Sequence, residues 1–372
     1  MLSVHIDTAT TWRGGQNQVL LTVMGLLAAG ERTLLVAHPD GELRKRAEEG
    51  IEFIGLAPTH ELDLKAGWRF SRLLNRVRPD VVHAHDPHAV SMAALGISMS
   101  SLAPAPPLVV SRRVDFHLKR HSFSQWKYRQ GSAFIAASEA IAAILASDGI
   151  PRSRIVTVHE GIDVERIANV EPRSVHAEFF LPTHAPIVGN IGALVAHKGQ
   201  RHLIDAAALV VREVPDARFV ILGEGELRAA LEHQVRHLHL ERHVYLPGFR
   251  ADVLALLKGF DVFVMSSETE GLGTSILDAM ACAKPVIGTR AGGIPEVVDD
   301  GVTGFVIPTH DPKAMAKAIV RLLRDPDIAG RMGEAGLRRV RERFTVERMV
   351  AETRRVYERV AKEPRQQIEP MP

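Results

Sequence analysis

At 372 residues, with 46% hydrophobic and 24% charged residues and a net charge of +2, the chain has the make-up of a soluble globular protein with room for two domains. The small net charge argues against general nucleic-acid binding, and a single cysteine, Cys282, excludes an intramolecular disulfide and reads as a small buried residue. There is no basic-then-apolar leader and no run of about 18 apolar residues, so a cytoplasmic location is expected.

Short apolar runs alternate with helical patterns along most of the chain. This predicts an α/β protein with two facing, doubly wound, Rossmann-like domains and a cleft between them. In the first domain, 1–168, strands are predicted over 2–7, 33–37, 51–56, 81–85, 108–111, 133–137 and 155–158, and helices over 16–29, 66–78, 91–97 and 138–147. Between the first strand and the first helix lies Arg13-Gly14-Gly15-Gln16. That turn either lets a diphosphate or acceptor reach the backbone or is a plain tight turn. The run DVVHAHDPHA puts His83 and His85 on one face of a strand end, beside Asp86. No further ligand sits at metal spacing, so no metal is expected there. His83 reads as packed and hydrogen-bonded, and His85, at the strand tip, as a substrate contact.

From 111 to 130, Arg112, Arg113, Lys119, Arg120, Lys127 and Arg129 stand against one acid, Asp115, with Phe116, Phe123, Trp126 and Tyr128 interleaved. A solvated loop face, a site for an acidic acceptor and contact with an anionic membrane surface are the three readings. A polar stretch at 169–184, with prolines at and near it, is expected to link the domains.

The second domain, 185–345, carries predicted strands over 187–191, 218–222, 244–246, 262–265, 285–288 and 304–306. Its most informative stretch is SSETEGLGTSILDAMACAKP, 266–285. Here a loop with Gly271 and Gly273 runs into a helix beginning near Thr274. Glycines let a ligand come close to the backbone, and the free N–H groups of a new helix favour phosphate. Two acids, Glu270 and Asp278, are badly placed for phosphate and well placed to accept from hydroxyls on either side of one. A ribose and a sugar fit that description, so a nucleotide-sugar site is expected. Lys198-Gly199 marks another strand-to-helix junction, from which a lysine can reach a phosphate. Gly223-Glu224-Gly225 lacks the third glycine of a dinucleotide fingerprint, and no GK[ST] triplet exists. The final segment, 346–372, begins as an amphipathic helix with Met349, Val350, Val356, Tyr357 and Val360 on one face and ends in a frayed tail.

Taken in order, the Gly14-Gly15 loop, His83-Ala84-His85, HEGIDVERI, Lys198, Gly223 to Gly225, YLPGFRADV, EGLGTSILDAMA and AGGIPEVV resemble the retaining glycosyltransferases of family 4. That resemblance covers essentially the whole chain and implies the two-domain GT-B fold, with the last helix crossing back to the first domain. It implies a nucleotide-sugar donor, a saccharide or lipid-linked acceptor and no cofactor or metal. The implied catalytic residues are Lys198, Glu270 and His85. Gly14, Gly15, Gly192, Gly223, Gly225, Gly248, Phe249, Arg250, Gly271, Leu272, Gly273 and Thr274 would join Lys198 and Glu270 around the donor. Asp278 would grip the ribose, and His85, Arg112 and Arg113 would face the acceptor.

Three positions depart from the family pattern. Asp278 stands where glutamate is usual, Ala193 where an arginine normally joins Lys198 on the diphosphate, and Glu160 where a small polar residue precedes Gly161. Arg201, His197 and Arg13 are candidates to replace the lost arginine. A nucleotide-sugar epimerase and a non-catalytic sugar-binding protein remain alternatives, although 5% aromatics is poor material for sugar stacking. The basic stretch favours an acceptor from lipopolysaccharide or other envelope glycan assembly, with peripheral contact at the inner membrane face.

Overall fold

The structure, a computed structural model, describes residues 1–47, 50–119 and 121–362. It divides into two compact units, one running from Met1 to Gly161 with the helix Val346–Lys362 added, the other from Ile162 to Thr345. The division therefore falls ahead of 169–184, the stretch expected as the link. That stretch is part of the second unit because its apolar residues are needed there. Val175 and Leu181 are buried in that unit's core, and Ser174 caps the short helix Val175–Glu178 by accepting from the Ala177 N–H at 3.2 Å. Prolines marked an irregular surface path, not a domain join. The expected tail, 363–372, and Arg120 lie outside the described residues.

The first unit holds β1 (Leu2–Asp7), β2 (Arg32–Ala37), β3 (Glu52–Gly55), β4 (Val81–Ala84), β5 (Leu108–Arg112), β6 (Gly131–Ala136) and β7 (Ile155–Thr157). They form one parallel sheet in the order β3-β2-β1-β4-β5-β6-β7. The second unit holds β8 (Ile187–Ile191), β9 (Arg218–Leu222), β10 (Val244–Gly248), β11 (Val262–Met265), β12 (Val286–Thr289) and β13 (Gly304–Ile307), ordered β10-β9-β8-β11-β12-β13 and also parallel. Central strands such as β11 are buried throughout, since helices cover both faces and leave no polar side to alternate. In each unit the order reverses beside the first strand, at β1/β4 and at β8/β11. Such a reversal sends consecutive connections to opposite faces and opens a crevice at the strands' carboxyl ends. Both candidate clusters sit at these two places.

Within the first unit, the helix Val346–Lys362 buries Met349, Val350, Val356, Tyr357 and Val360 against Leu26, Val81 and Val109. A Cβ on Gly25 would stand 2.5 Å from Val350 Cγ2, so glycine is what lets the helices Gly14–Ala28 and Val346–Lys362 pack this closely. The basic stretch also differs from its expected form. It folds into the helix Ser122–Arg129, and Lys127 is buried, donating to Glu61 at 2.6 Å, the Pro87 carbonyl at 2.9 Å and Ser91 Oγ at 3.1 Å. Arg112 is buried on β5 with its guanidinium donating to the Phe116 carbonyl. These cations satisfy internal acceptors and do not build a solvated face. Among the described residues no helix is long and apolar enough to cross a membrane.

Candidate active site

In the second unit the loops after β8 and β11 interlock. Gly199 has a φ of +61°, and a Cβ there would lie 2.3 Å from the Ser266 carbonyl. Ser266 Oγ donates to the Lys198 carbonyl at 3.0 Å, and the Glu268 N–H donates to the His197 carbonyl at 2.7 Å. This backbone lacing brings two expected site residues together. Lys198 Nζ donates to Glu270 Oε2 at 2.6 Å, and Ser267 Oγ donates to the same oxygen at 3.0 Å. The Glu270 carbonyl is held in turn by the AGGIPEVV turn. The Gly293 N–H donates to it at 3.2 Å, and a Cβ on Gly292, at φ +46°, would lie only 1.6 Å from it.

The helix Thr274–Ala281 begins immediately beyond. Its N-cap is Gly273, at φ +95°, which has no side chain to occupy the first-turn N–H groups. Those groups and the helix dipole suit an anion. Gly271 and Leu272 are buried and anchor the loop, while Thr274 is half-buried at the helix start. One turn further, loss of solvent pushes the Asp278 carboxyl up from 3.8 to about 7, and the neighbouring Cys282 thiol rises to about 11, mainly through burial. Between about pH 4 and 7 the folded state therefore binds this proton more tightly than the unfolded chain does. Stability contributed by the protonated acid is lost as pH rises through that window. Asp278→Asn is accordingly expected to melt above the parent at pH 8, with the difference vanishing near pH 4. Melting curves at the two pH values check this, and an equal shift at both would contradict it.

The remaining glycines of the expected donor set have mostly internal reasons. Gly223, at φ +151°, would place a Cβ 1.9 Å from the Gly192 carbonyl, and Gly225 would place one 2.3 Å from the Leu194 carbonyl. The Gly223 N–H donates to the Gly248 carbonyl at 2.9 Å. Three loops thus stack backbone on backbone, and any side chain would part them. Phe249 is exposed, whereas the Arg250 guanidinium is committed to Asp252 at 2.8 Å and Glu178 at 2.5 Å, leaving its backbone for other contacts. Ala193 is fixed by Gln200, whose Nε2 donates to its carbonyl at 3.0 Å. Of the candidate substitutes for the missing arginine, Arg201 is more than half exposed and donates to Glu268 at 3.1 Å. Arg13 belongs to the first unit, at the N-cap of its first helix.

In the first unit the β1/β4 crevice gathers three histidines, His5, His83 and His85. His5 pairs with His83 in the parallel register, a relation that sequence adjacency hides. Asp86 stays apart from them. It caps the helix Pro87–Ser98, accepting from the His88 and Ala89 N–H groups at 2.8 and 2.9 Å. Arg113 donates to His85 Nδ1 at 3.1 Å, which leaves the His85 proton on Nε2, facing His5 Nδ1 at 3.0 Å. The His5 proton then faces Ser3 Oγ at 3.0 Å, while His83 lies between Tyr357 Oη at 2.6 Å and Ser111 Oγ at 2.7 Å. Burial first, and the charge of Arg113 after it, lowers His5 to about 3; burial, then a neighbouring histidine and Arg113, holds the other two well down, so all three rings are neutral. Arg113 is itself paired with Glu160 at 3.3 Å, which accounts for the unexpected acid before Gly161. A Cβ on Gly15 would meet nothing within 4 Å, so packing does not demand glycine at this helix start.

Two family descriptions match, "Glycosyltransferase Family 4" over residues 12–166 and "Glycosyl transferases group 1" over residues 173–339. The chain is 32% identical over 207 residues to N-acetyl-alpha-D-glucosaminyl L-malate synthase of Bacillus anthracis, which takes in 56% of this chain and spans 54%, about half, of that relative. It is 28% identical over 271 residues to the lipopolysaccharide core biosynthesis glycosyltransferase LpsE of Rhizobium meliloti, covering 72% of each. Among solved structures, Anabaena Alr3699/HepE in complex with UDP superposes with a TM-score of 0.83 at 21% identity, covering 96% of this chain and 100% of that one. Fold, motif order and both family matches agree, and the chain belongs to the group 1, family 4 glycosyltransferases of GT-B fold.

Proposed function

We propose that the protein transfers a sugar from a nucleoside-diphosphate sugar to an acceptor hydroxyl with retention of anomeric configuration. The observation that carries this reading is the 2.6 Å meeting of Lys198 and Glu270 beside the uncapped start of the helix Thr274–Ala281. A cation, a carboxylate and open N–H groups lie in one place, which is the set of partners a sugar diphosphate needs. The diphosphate draws Lys198 off Glu270, and the freed carboxylate accepts from sugar hydroxyls. Asp278, one turn into the same helix, takes the ribose hydroxyls.

Bond breaking separates the anomeric carbon from the diphosphate oxygen, and the acceptor oxygen bonds to that carbon from the same face. The acceptor proton passes to the departing diphosphate, so no protein base is needed. Lys198 and the helix N-terminus meet the charge that develops on the leaving group, which makes a divalent ion unnecessary for this step. On the first unit, the neutral His85 is the sugar contact we propose; its Nδ1 accepts from Arg113 and its Nε2 donates to His5, so a sugar hydroxyl binds there by displacing one of these partners. Arg112, buried and bonded to Phe116, is not part of the acceptor contact that we propose.

We assign the acceptor to saccharides of envelope glycan assembly, a reading supported by the likeness to the lipopolysaccharide core enzyme. Contact with an anionic membrane would have to run through residues other than Arg112, Arg113 and Lys127, which are engaged internally. The test is thermal stabilisation by a panel of nucleoside diphosphates, followed by product analysis with the matching sugar donor. One diphosphate is expected to raise the melting temperature, and its sugar to be consumed when a saccharide acceptor is added. An epimer formed from donor alone would move the protein to the epimerase class, and a panel without any stabilising nucleotide would overturn the donor reading.

A further inference from the structure

Outside the donor contacts, His202, in the first turn of the helix Gln200–Glu213 that follows β8, meets Glu268 and His310 from the loops after β11 and β13. The geometry points to a binding site for a divalent transition-metal ion, zinc being the best fit, built from His202 Nε2, Glu268 Oε1 and His310 Nδ1.

Three distances define the arrangement. His202 Nε2 lies 3.0 Å from Glu268 Oε1 and 3.0 Å from His310 Nδ1, and His310 Nδ1 lies 3.5 Å from Glu268 Oε1. Zinc bonds to imidazole nitrogen and carboxylate oxygen at about 2.0–2.2 Å, so neighbouring ligand atoms on a zinc tetrahedron are about 3.3 Å apart. The triangle therefore matches one face of such a tetrahedron. Two imidazoles and a carboxylate, with one position open, form a ligand set typical of zinc and related ions and unsuited to calcium or magnesium.

Without a metal the hydrogen bonding here is frustrated. His202 Nε2 faces a donor, Arg201 Nε at 3.2 Å, an acceptor, Glu268 Oε1, and the second imidazole nitrogen. One ring nitrogen carries either a proton or a lone pair, so it cannot satisfy all three. A cation at the centre removes the conflict, because every ligand atom then presents a lone pair. Arg201 already places positive charge on two of these atoms, bridging His202 and Glu268, and its side chain is 58% exposed and free to swing out. His310 is 52% exposed, so the site opens to solvent.

The other histidine cluster lacks these properties. Around His5, His83 and His85 the ring nitrogens are matched with Ser3, Tyr357, Ser111 and Arg113 or with one another, and the Arg113 charge lies among them.

Occupation would pin the start of the helix Gln200–Glu213 to the loops after β11 and β13. Lys198 immediately precedes that helix and Glu270 lies in the loop after β11, each only a few residues from a ligand. The ion would thus stiffen the donor loops without taking part in the transfer step.

The test uses the untagged full chain, stripped with a chelator and titrated with zinc against a chromophoric competitor. Glu268→Gln and His310→Asn are the site variants, since asparagine tolerates the left-handed backbone of His310, at φ +57°. A double His233→Ala/His237→Ala variant controls for the stacked histidine pair on the helix Arg228–His237. We expect one zinc per chain with micromolar or tighter affinity, at least five-fold weaker binding in both site variants and no change in the control. Arg201→Ala should bind zinc more tightly, because a competing cation is gone. Cobalt should give tetrahedral ligand-field bands that both site variants lose, a readout independent of activity. Absence of sub-millimolar zinc binding in the parent, or less than a five-fold loss in either folded site variant, overturns the site.

Discussion

Replacing Lys198 by alanine should lower turnover by two orders of magnitude or more and leave the melting temperature within a few degrees of the parent. The unequal effects follow from what the ammonium does in each state. In the free protein it pairs with Glu270 at 2.6 Å, with both side chains partly exposed, at 23% and 13%. Lys198 has more access to solvent than either member of the Arg113–Glu160 pair, and Ser267 still donates to Glu270 once the ammonium is gone, so the loss to the fold is about 1–2 kcal/mol. In the transition state the same ammonium faces a diphosphate gaining negative charge, and losing one preorganised donor there costs about 10²–10³ in rate. Ala193 sharpens the dependence, since the loop has no second cation at that position to share the charge. Alanine also leaves the Glu270 carboxylate without its cation, beside an anionic ligand. Adding Glu270→Gln to Lys198→Ala should therefore restore part of the nucleotide affinity but not the turnover. Steady-state kinetics and nucleotide titration on both variants check the argument. A Lys198→Ala enzyme that keeps most of its turnover removes the residue from the mechanism.

Much of the second unit was legible because its signals are local. Val262–Met265 is a fully apolar run ended by small polar residues, and Gly271, Gly273 and the periodic Ile276, Leu277 and Met280 mark a turn and a buried helix face. Strand, loop and helix follow from spacing alone, and with them the loop positions of Lys198 and Glu270. What spacing could not show was that the two side chains touch. Their separation of 72 residues is closed only by the β8/β11 neighbour relation and the Ser266 and Glu268 backbone contacts.

Other features escaped for the same physical reason, since they depend on tertiary pairing. His5 joins His83 through parallel strand register, and His202, Glu268 and His310 come from one helix start and two separate loops. Glycines carry a second, tertiary reason. At Gly223 and Gly225, expected at the donor, the missing side chain is also required by a carbonyl less than 2.5 Å from where a Cβ would be. In the basic stretch, composition does not tell which cations lie inside. Six cations in twenty residues suggest a charged surface, but burial of Lys127 on Glu61 and of Arg112 on Phe116 is decided by partners about 66 and 4 residues away, which a local count does not weigh. Glu160 was visible as an anomaly, and only the fold supplies Arg113 as its reason.

That last pair carries the largest expected effect on stability. Arg113 and Glu160 are 14% and 10% exposed, so neither charge is well solvated. Removing one partner of a buried pair leaves the other desolvated and typically costs about 3–5 kcal/mol. For a unit of this size, Glu160→Ala should lower its melting transition by roughly 6–20 °C, at about 2–4 °C per kcal/mol. The loss should also depend on pH. Asp7 lies in the field of Arg113, and burial together with Asp86 lifts its carboxyl to about 6. Above that pH its charge still offsets part of the orphaned guanidinium. Below it the offset disappears, so the defect of Glu160→Ala should deepen between pH 8 and pH 5. Joint replacement of the pair, Arg113→Met with Glu160→Leu, removes both charges and keeps apolar volume, and should recover most of the lost stability. The recovered protein should still transfer poorly, because His85 loses the donor that fixes its tautomer. Calorimetry on the single and double variants decides the matter. If the double variant is no more stable than Glu160→Ala alone, an unpaired buried charge is not the cause of the loss.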